Sequence, residues 1–234
     1  MYKKILSKNS SWNFKGQVPK RFSYHIKKSI PFYADMHDMV CELSDFFLKE
    51  KSVCYDLGSS TGLLLNKISE RHKNKKINLI GVESIKEMIV QAKKENKKNK
   101  KNIKYINKDI RKLKLKKADL ITSCYTIQFI DTKYRQSIIN KIYKSLNWGG
   151  AFIIFEKVRA SDARFQDIFN QIYLEFKLKK KFSEYEVVNK SKSLKGVLEP
   201  FSEYGNIGLF KRAGFVDIIP IFQWFCFKGF LCIK

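Results

Sequence analysis

The stretch Val53-Cys54-Tyr55-Asp56-Leu57-Gly58-Ser59-Ser60-Thr61-Gly62 decides the fold. Its first half is an apolar run with the length of a buried β-strand, and its second half is a glycine turn that opens a predicted helix over residues 61–72. Gly58 lets the backbone turn sharply and approach a ligand closely. The N–H groups at the start of the helix are expected to be free and to face that ligand.

The spacing of this turn narrows the kind of ligand. It has Asp56, Gly58 and Gly62 in the order D-x-G-x-x-x-G. A dinucleotide fold would carry G-x-G-x-x-G, and a P-loop would carry G-K followed by Ser or Thr. Neither pattern is present in the turn, so the sequence favours a different nucleoside ligand.

Alternating strands and helices extend from this unit in both directions. Such alternation predicts βαβ units on a parallel sheet. Two closing strands, at 215–221 and 224–233, are joined too tightly for a helical crossover and are therefore expected to be antiparallel. The predicted fold is α/β and Rossmann-like: a doubly wound sheet of seven strands with an antiparallel last strand. The other predicted elements are strands at 77–83, 103–107, 119–124 and 151–156, and helices at 85–95, 132–146 and 203–213, with Gly149-Gly150 ending the 132–146 unit.

The segments outside this alternation are helical. Residues 32–49 have apolar side chains at helical spacing, whereas residues 1–24 are basic and are expected to be loosely ordered. Residues 160–200 are mostly helical, with an interruption near 179–183. We expect one domain over residues 1–234, with an N-terminal helical cap at about 25–50 and a helical insertion at about 160–200 that cover the ligand crevice.

The charge is the most conspicuous compositional feature. The 234 residues carry a formal net charge of +25, and only seven of the 47 basic residues are Arg. Such a charge suits a nucleic-acid-binding surface. However, Arg is the usual residue for bidentate phosphate recognition. The abundance of Lys, Asn and Ile also fits the codon bias of an AT-rich genome, so nucleic acid is an open but less favoured partner.

The remaining composition predicts a cytoplasmic enzyme. No apolar run is long enough to span a membrane, and Met1 to Ser7 has no apolar core of a secretory signal. The five Cys form no C-x-x-C pair, which indicates reduced thiols. The three His have no metal-ligand spacing, so no metal is expected.

Three further residues follow predicted strands at the same edge of the sheet. Glu83 ends the second strand, where a carboxylate can accept both hydroxyls of a ribose. Asp109 and Ile110 follow the third strand, where they would bind the amino group and pack on the ring of an adenine. Because the carboxyl ends of parallel strands meet at one crevice, these residues and the Gly58 turn predict an S-adenosylmethionine (SAM) site.

Several further stretches match a known family. They include Ser29-Ile30-Pro31-Phe32-Tyr33, Tyr125-Thr126-Ile127-Gln128-Phe129, Lys141-Ile142-Tyr143, Glu156-Lys157 and Ala213-Gly214-Phe215. On these stretches the chain resembles the class I SAM-dependent methyltransferases and, within them, the carboxy-S-adenosylmethionine synthases, over roughly residues 20–234. Those bacterial enzymes are homodimers that supply the carboxymethyl donor for wobble-uridine modification of tRNA.

The resemblance implies a set of site residues. Tyr125 and Tyr33 are the expected catalytic residues, although methyl transfer needs mainly positioning and no base stands out. Further candidates near the crevice are Gln128, Glu156, Lys157 and Trp224. The expected cofactor-binding residues are Tyr33, Asp56, Gly58, Ser59, Ser60, Gly62, Glu83, Ser84, Asp109, Ile110 and Cys124.

Two positions depart from the family. Cys124 replaces an Asn, and Ser191 replaces an Arg. The family's reaction moves CO₂ from prephenate to the SAM methyl group, and an Arg fork suits the resulting carboxylate. Cys is a poor hydrogen-bond donor and Ser carries no charge. Lys190 or Lys192 could supply a point charge instead.

These departures leave three hypotheses. The favoured one is a SAM-dependent methyltransferase that has diverged from carboxy-SAM synthase and acts on a small molecule. The second is a carboxy-SAM synthase with a rewired anion site. The third is an RNA or tRNA methyltransferase, which would use the 13 Lys and Arg between residues 93 and 117.

Overall fold

A computed structural model of the protein describes residues 18–98 and 102–234. Within these residues seven strands form one sheet. The strands are β1 Val53–Leu57, β2 Asn78–Glu83, β3 Ile103–Asn107, β4 Ala118–Cys124, β5 Leu146–Lys157, β6 Asp217–Trp224 and β7 Phe227–Ile233. The helices are α1 Val18–Ser29, α2 Tyr33–Phe47, α3 Leu63–Arg71, α4 Lys86–Lys98, α5 Thr132–Ser145, α6 Ala163–Lys179, α7 Glu184–Ser193 and α8 Glu203–Ala213. Short 3₁₀ helices cover Ile110–Lys112 and Ile127–Phe129.

The strand order confirms the predicted fold class. The sheet runs β3-β2-β1-β4-β5-β7-β6, and the first five strands are mutually parallel. The last strand, β7, is antiparallel to both β5 and β6. The chain order reverses direction between β1 and β4, which is the switch point where ligands bind in doubly wound sheets.

The sheet is buried on both faces. Side chains of β5 alternate between the two faces: Phe152 and Ile154 belong to the cluster that contains residues of α5 and α8, and Ile153 and Phe155 belong to the cluster with α2 and α3. All four side chains are almost completely buried. Full burial of one such side chain stabilises the fold by about 1.5–3 kcal/mol, so this strand anchors the site-bearing edge from both sides.

The N-terminal helix starts earlier than the sequence predicts. Residues 18–24, expected to be loosely ordered, form the first part of α1, so the helical cap begins before residue 25. Phe22, Ile26 and Ile30 recur every four residues, and Phe22 and Ile30 are buried. This narrow apolar stripe packs α1 against the rest of the protein. The expectation for residues 1–17 lies outside the described residues.

Contrary to the prediction from the sequence, Gly149-Gly150 does not separate the helix from the next strand. Strand β5 begins at Leu146, directly after α5, and includes both glycines. The pairing of β4 with β5 shifts register between Ala118 and Leu120, and Gly149 takes a φ of +73°. A bulge therefore absorbs the extra residues without ending the strand. Gly149 N also donates to the carbonyl of Lys234, which ties the bulge to the end of β7.

The described residues contain no helix that is both long and apolar enough to cross a membrane. The basic stretch 93–117 runs along α4, the edge strand β3 and the 3₁₀ helix at Ile110–Lys112.

Candidate active site

One large cavity lies at the carboxyl ends of the parallel strands. Its volume is about 900 Å³, and its floor is formed by residues that follow β1, β2, β3 and β4. The helices α1, α6 and α7 form its other wall. Each of these helices contributes residues at helical spacing, so one face of each helix lines the cavity. These faces are Phe22, His25, Ile26 and Ser29 on α1; Gln166, Asn170, Tyr173 and Lys177 on α6; and Val187, Lys190, Ser191 and Leu194, which run from α7 to its C-cap.

The Gly58 turn has the tight geometry that the sequence predicts. Gly58 has a φ of +82°, and a Cβ there would lie 2.1 Å from Thr126 Oγ1. The amides that precede the helix are bonded within the protein. Gly58 N and Ser59 N both donate to the carbonyl of Val82, and Gly62 N donates to that of Ser59. The turn is therefore fixed to β2, whereas helix α3 begins at Leu63 with no side-chain cap on its first N–H groups.

Glu83 is held rigidly at the end of β2. One carboxylate oxygen accepts from Ser60 N at 3.0 Å and the other from Ile85 N at 2.8 Å. Burial raises the pKa of this carboxyl, and these backbone donors oppose the rise. A carboxylate has about four lone-pair positions, so both oxygens can still accept from a ligand hydroxyl. Ser84, the next residue, is exposed and also lines the cavity.

Asp56 lies deeper in the floor. It is buried and accepts a 2.8 Å hydrogen bond from Thr122 Oγ1. Burial raises its pKa to about 7, despite the opposing effect of this hydrogen bond. A favourable ligand cation near Asp56 would lower that pKa again, so the floor is suited to a positively charged group.

Asp109 and Ile110 line the cavity beyond β3, as predicted. Asp109 Oδ1 accepts from Arg111 N and Oδ2 from Arg111 Nε, both at 2.8 Å. The Arg111 side chain holds the pKa of Asp109 below its usual range. Ile110 is buried, and its side chain forms part of the apolar wall.

Strain is concentrated around Tyr125. This residue has a φ of +54°, its N donates to the carbonyl of Phe155 at 2.7 Å, and its ring is buried. A left-handed conformation costs a non-glycine residue about 1–3 kcal/mol. Ser60, which also lines the cavity, has a φ of +50°. Strained residues of this kind are common at functional sites, and two of the six described non-glycine residues with positive φ border this cavity.

Three buried polar atoms of residues that line the cavity lack a partner within the described chain. Ser59 Oγ, Thr61 Oγ1 and Tyr125 OH are buried and have no hydrogen-bond partner among the described residues. Buried polar atoms left without a partner cost about 1–3 kcal/mol each. All three residues line the cavity. These orphaned atoms, with Glu83 and Asp56, fit a ligand that carries hydroxyl groups and a positive charge, as SAM does.

Four more of the predicted residues line the cavity. Tyr33 and Cys124 line the cavity, and Tyr33 packs against His37 with ring centroids 4.4 Å apart. Burial raises the pKa of both side chains, so both are uncharged at neutral pH. Gln128 and Lys157 also line it, and the Gln128 side-chain oxygen accepts from Lys157 N at 2.7 Å.

Three expected residues do not form the cavity wall. Gly62 is not among the lining residues; a Cβ there would meet Tyr105 OH at 2.1 Å, so this glycine serves packing. Glu156 is buried behind the wall, where it accepts from Ile127 N. Trp224 packs against Phe176 and does not line the cavity.

Comparison with known proteins agrees with this geometry. A family model described as a methyltransferase domain matches residues 54–150. The carboxy-S-adenosyl-L-methionine synthase of Staphylococcus epidermidis is 38% identical over 224 residues, which cover 95% of this chain and 97% of the relative. The enzyme of the same name from Nautilia profundicola is 31% identical over the whole of both chains.

Solved structures share the fold. A putative SAM-dependent methyltransferase from Methanococcus maripaludis superposes with a TM-score of 0.64 at 17% identity, over 96% of this chain and 95% of its own. Phosphoethanolamine N-methyltransferase 2 of Haemonchus contortus, solved in complex with SAM, gives 0.67 at 14% identity, over 94% and 58%.

Proposed function

Because the chain belongs to the carboxy-S-adenosyl-L-methionine synthase family of class I methyltransferase-fold proteins, and is therefore a SAM-dependent transferase, we propose that it converts SAM and prephenate into carboxy-SAM. The observation that carries the proposal is the volume of the cavity, together with the separation of its acidic floor from the wall that α1, α6 and α7 form. At about 900 Å³ it lies near the upper end of small-molecule sites, which span roughly 300–1,000 Å³. It therefore has room for SAM and a second small molecule.

The acidic floor would hold the cofactor. When bound, SAM supplies a sulfonium group that makes its methyl carbon electron-poor. Glu83 would accept from the ribose hydroxyls, because its two oxygens are already oriented by Ser60 N and Ile85 N. Asp109 and Ile110 would take the adenine edge and ring. Asp56, at the bottom of the floor, would stabilise the positive charge.

The reaction needs little chemistry from the side chains. Prephenate would lose CO₂, and the electron pair of that bond would make its ring aromatic while hydroxide departs. The hydroxide and a proton from the SAM methyl group would leave as water, and a carbon–carbon bond would form between that methyl carbon and CO₂. No protein base is required, which agrees with the buried, uncharged state of Tyr33 and Tyr125. Their proposed role is to position the reactants and exclude water.

Two residues favour a second candidate, plain methyl transfer to a small molecule. Cys124 and Ser191 both line the cavity, at positions where the family has Asn and Arg. Neither side chain can replace an Arg fork for a carboxylate. A protein that had lost the carboxylation step would retain the SAM floor and take a different acceptor.

Incubation of the purified protein with SAM and prephenate decides between the two. Mass spectrometry should detect a SAM derivative heavier by one CO₂, together with phenylpyruvate. A protein that binds SAM but forms neither product would contradict the proposal and favour methyl transfer. The same reaction without prephenate is the control and should give no product.

The proposal also covers the domain organisation, the localisation and the oligomeric state of the protein. Residues 1–234 would act as one catalytic domain in the cytoplasm, with the cap and the insertion covering the two reactants. The family resemblance implies a homodimer, which light scattering of the purified protein would test.

A further inference from the structure

Three lysines from distant parts of the chain meet in the half of the cavity opposite the acidic floor. Lys157 ends β5, Lys177 lies on the last turn of α6, and Lys190 lies on α7. All three line the cavity and all are partly buried. Three of the four acidic residues that line the cavity, Asp56, Glu83 and Asp109, end or follow β1, β2 and β3, and the fourth, Asp131, precedes α5. Because β4 lies between β1 and β5 in the sheet, the acidic floor is separated from the lysine that ends β5.

Tyr173 connects the three lysines. The Nζ atoms of Lys157 and Lys177 lie 4.7 Å and 4.1 Å from the centre of its ring. Its hydroxyl donates to the carbonyl of Ser29 at 2.9 Å. The Ser29 hydroxyl in turn accepts from Lys190 Nζ at 3.2 Å. Lys190 Nζ also lies 2.7 Å from His25 Nε2. One aromatic ring and one buried serine thus hold the ammonium groups in a cluster.

Two of the three lysines have no carboxylate partner within the part of the chain that the structure describes. Among residues 18–98 and 102–234, neither Lys157 nor Lys177 forms an ion pair with a carboxylate. Burial lowers the pKa of all three lysines, and their mutual repulsion lowers those of Lys177 and Lys190 further, to about 8 and about 7. Collecting buried cations is unfavourable unless an anion pairs with them. The cluster therefore has a strong electrostatic reason to bind a negatively charged ligand.

We infer that Lys157, Lys177 and Lys190 form the binding site for the carboxylate groups of the second substrate, a small organic dianion. A dianion fits because two of these lysines, Lys157 and Lys177, lack a carboxylate partner among the described residues. The inference rests on the proposed function for the identity of that substrate, prephenate. It also accounts for Ser191: three point charges from β5, α6 and α7 take over the role that one Arg fork would play.

The hydroxyl and imidazole groups give the site a defined shape. Ser29 and His25 lie on the cavity face of α1, and Ser29 is buried. Repulsion by Lys190, second only to burial, keeps the pKa of His25 low, at about 3, so the ring is neutral and can accept from the ammonium group. A bound carboxylate would therefore meet Lys190 already oriented by two acceptors.

The test measures anion binding apart from turnover. The protein is saturated with S-adenosylhomocysteine, which has no methyl group to carboxylate, and titrated with prephenate and, separately, with the monoanion phenylpyruvate. We expect Lys177→Met and Lys190→Met each to weaken prephenate binding roughly tenfold to hundredfold, the usual loss for a charged hydrogen bond. Lys177→Arg should retain most of the affinity. Lys179→Met, an exposed lysine on the same helix, is the matched control and should change nothing.

The outcomes separate the inference from the proposed function. Equal prephenate affinity in Lys177→Met, Lys190→Met and Lys179→Met would overturn the lysine site, even if the wild type makes carboxy-SAM. Lysine-dependent anion binding without any carboxy-SAM would uphold the site and reject the proposed function. A wild type that binds neither anion would also overturn the site. Affinity for S-adenosylhomocysteine should be the same in all variants, which shows that each one is folded.

Discussion

Replacing Gly58 with Ala tests the geometry of the Gly58 turn directly. The new Cβ would face two separate costs. Its left-handed φ of +82° costs about 1–2 kcal/mol for a residue with a side chain. It would also lie 2.1 Å from Oγ1, 2.5 Å from Cγ2 and 2.8 Å from Cβ of Thr126. Overpacking of this kind costs typically about 1–3 kcal/mol.

The expected loss in unfolding free energy is therefore roughly 2–5 kcal/mol. Urea denaturation of the purified variant measures it. Gly149→Ala is a matched control, because Gly149 has a similar φ of +73° but no atom within 4 Å of the new Cβ. It should lose only the conformational part, about 1–2 kcal/mol. We also expect Gly58→Ala, and not Gly149→Ala, to weaken SAM binding.

A mutant cycle separates the two costs. All three nearest neighbours of the new Cβ belong to Thr126, so Thr126→Gly should remove the overlap. In that background Gly58→Ala should cost no more than Gly149→Ala does in the wild type. An equal cost of Gly58→Ala with and without Thr126→Gly would refute the close packing of the turn against Thr126.

Three further predictions concern single side chains. Tyr125→Phe should lower turnover roughly tenfold or more with no loss of unfolding free energy, because its hydroxyl is buried without a partner, whereas the exposed control Tyr134→Phe should change neither quantity. Glu83→Gln should weaken SAM binding roughly tenfold or more in calorimetry, and an unchanged affinity would exclude the proposed ribose contact. Burial raises the pKa of Glu156 from 4.5 to about 8. The protonated carboxyl therefore contributes its full stabilisation of the folded state below pH 4.5, and this contribution is lost as the pH rises through 8. The difference in unfolding free energy between wild type and Glu156→Gln should therefore fall by up to about 1.4 kcal/mol per pH unit in that window, and a difference independent of pH would contradict the buried, protonated carboxyl.

The sequence pattern predicts the sheet and the meeting of Glu83 and Asp109 at one cavity because both depend on local signals. A short apolar strand that ends in Gly58 specifies its own turn, and Glu83 and Asp109 follow their strands directly. Parallel pairing then brings these strand ends to one edge without any further information. The order and directions of the strands follow from the same alternation.

The hydrogen bonds of the Gly58 turn and the start of β5 are harder to predict from the sequence. Whether the amides of Gly58 and Ser59 are free depends on how closely β2 approaches, and Val82 O takes both. Likewise, a Gly149-Gly150 pair reads as a helix stop, and only pairing with β4 and β7 shows that it is a bulge within a strand. Both features depend on tertiary contacts, which the local sequence does not specify.

The basic end of the cavity shows the same limit most clearly. Lys177 is one of several lysines near the end of α6, and its neighbours at 179, 180 and 181 are exposed. Only the packing of Tyr173 over the cavity selects Lys177 as the one that turns inward. Lys157 and Lys190 carry weak sequence signals of their own, but their meeting point depends on how α6 and α7 close over the sheet.

The ligand that copurifies with the protein tests the central claim most directly, namely that this cavity produces and holds carboxy-SAM. The protein would be expressed in a bacterial host whose own carboxy-SAM synthase gene has been deleted, and its ligand released and identified by mass spectrometry. We predict carboxy-SAM, absent when the Lys177→Met variant is expressed instead. Plain SAM as the sole ligand of the wild-type protein would contradict the account.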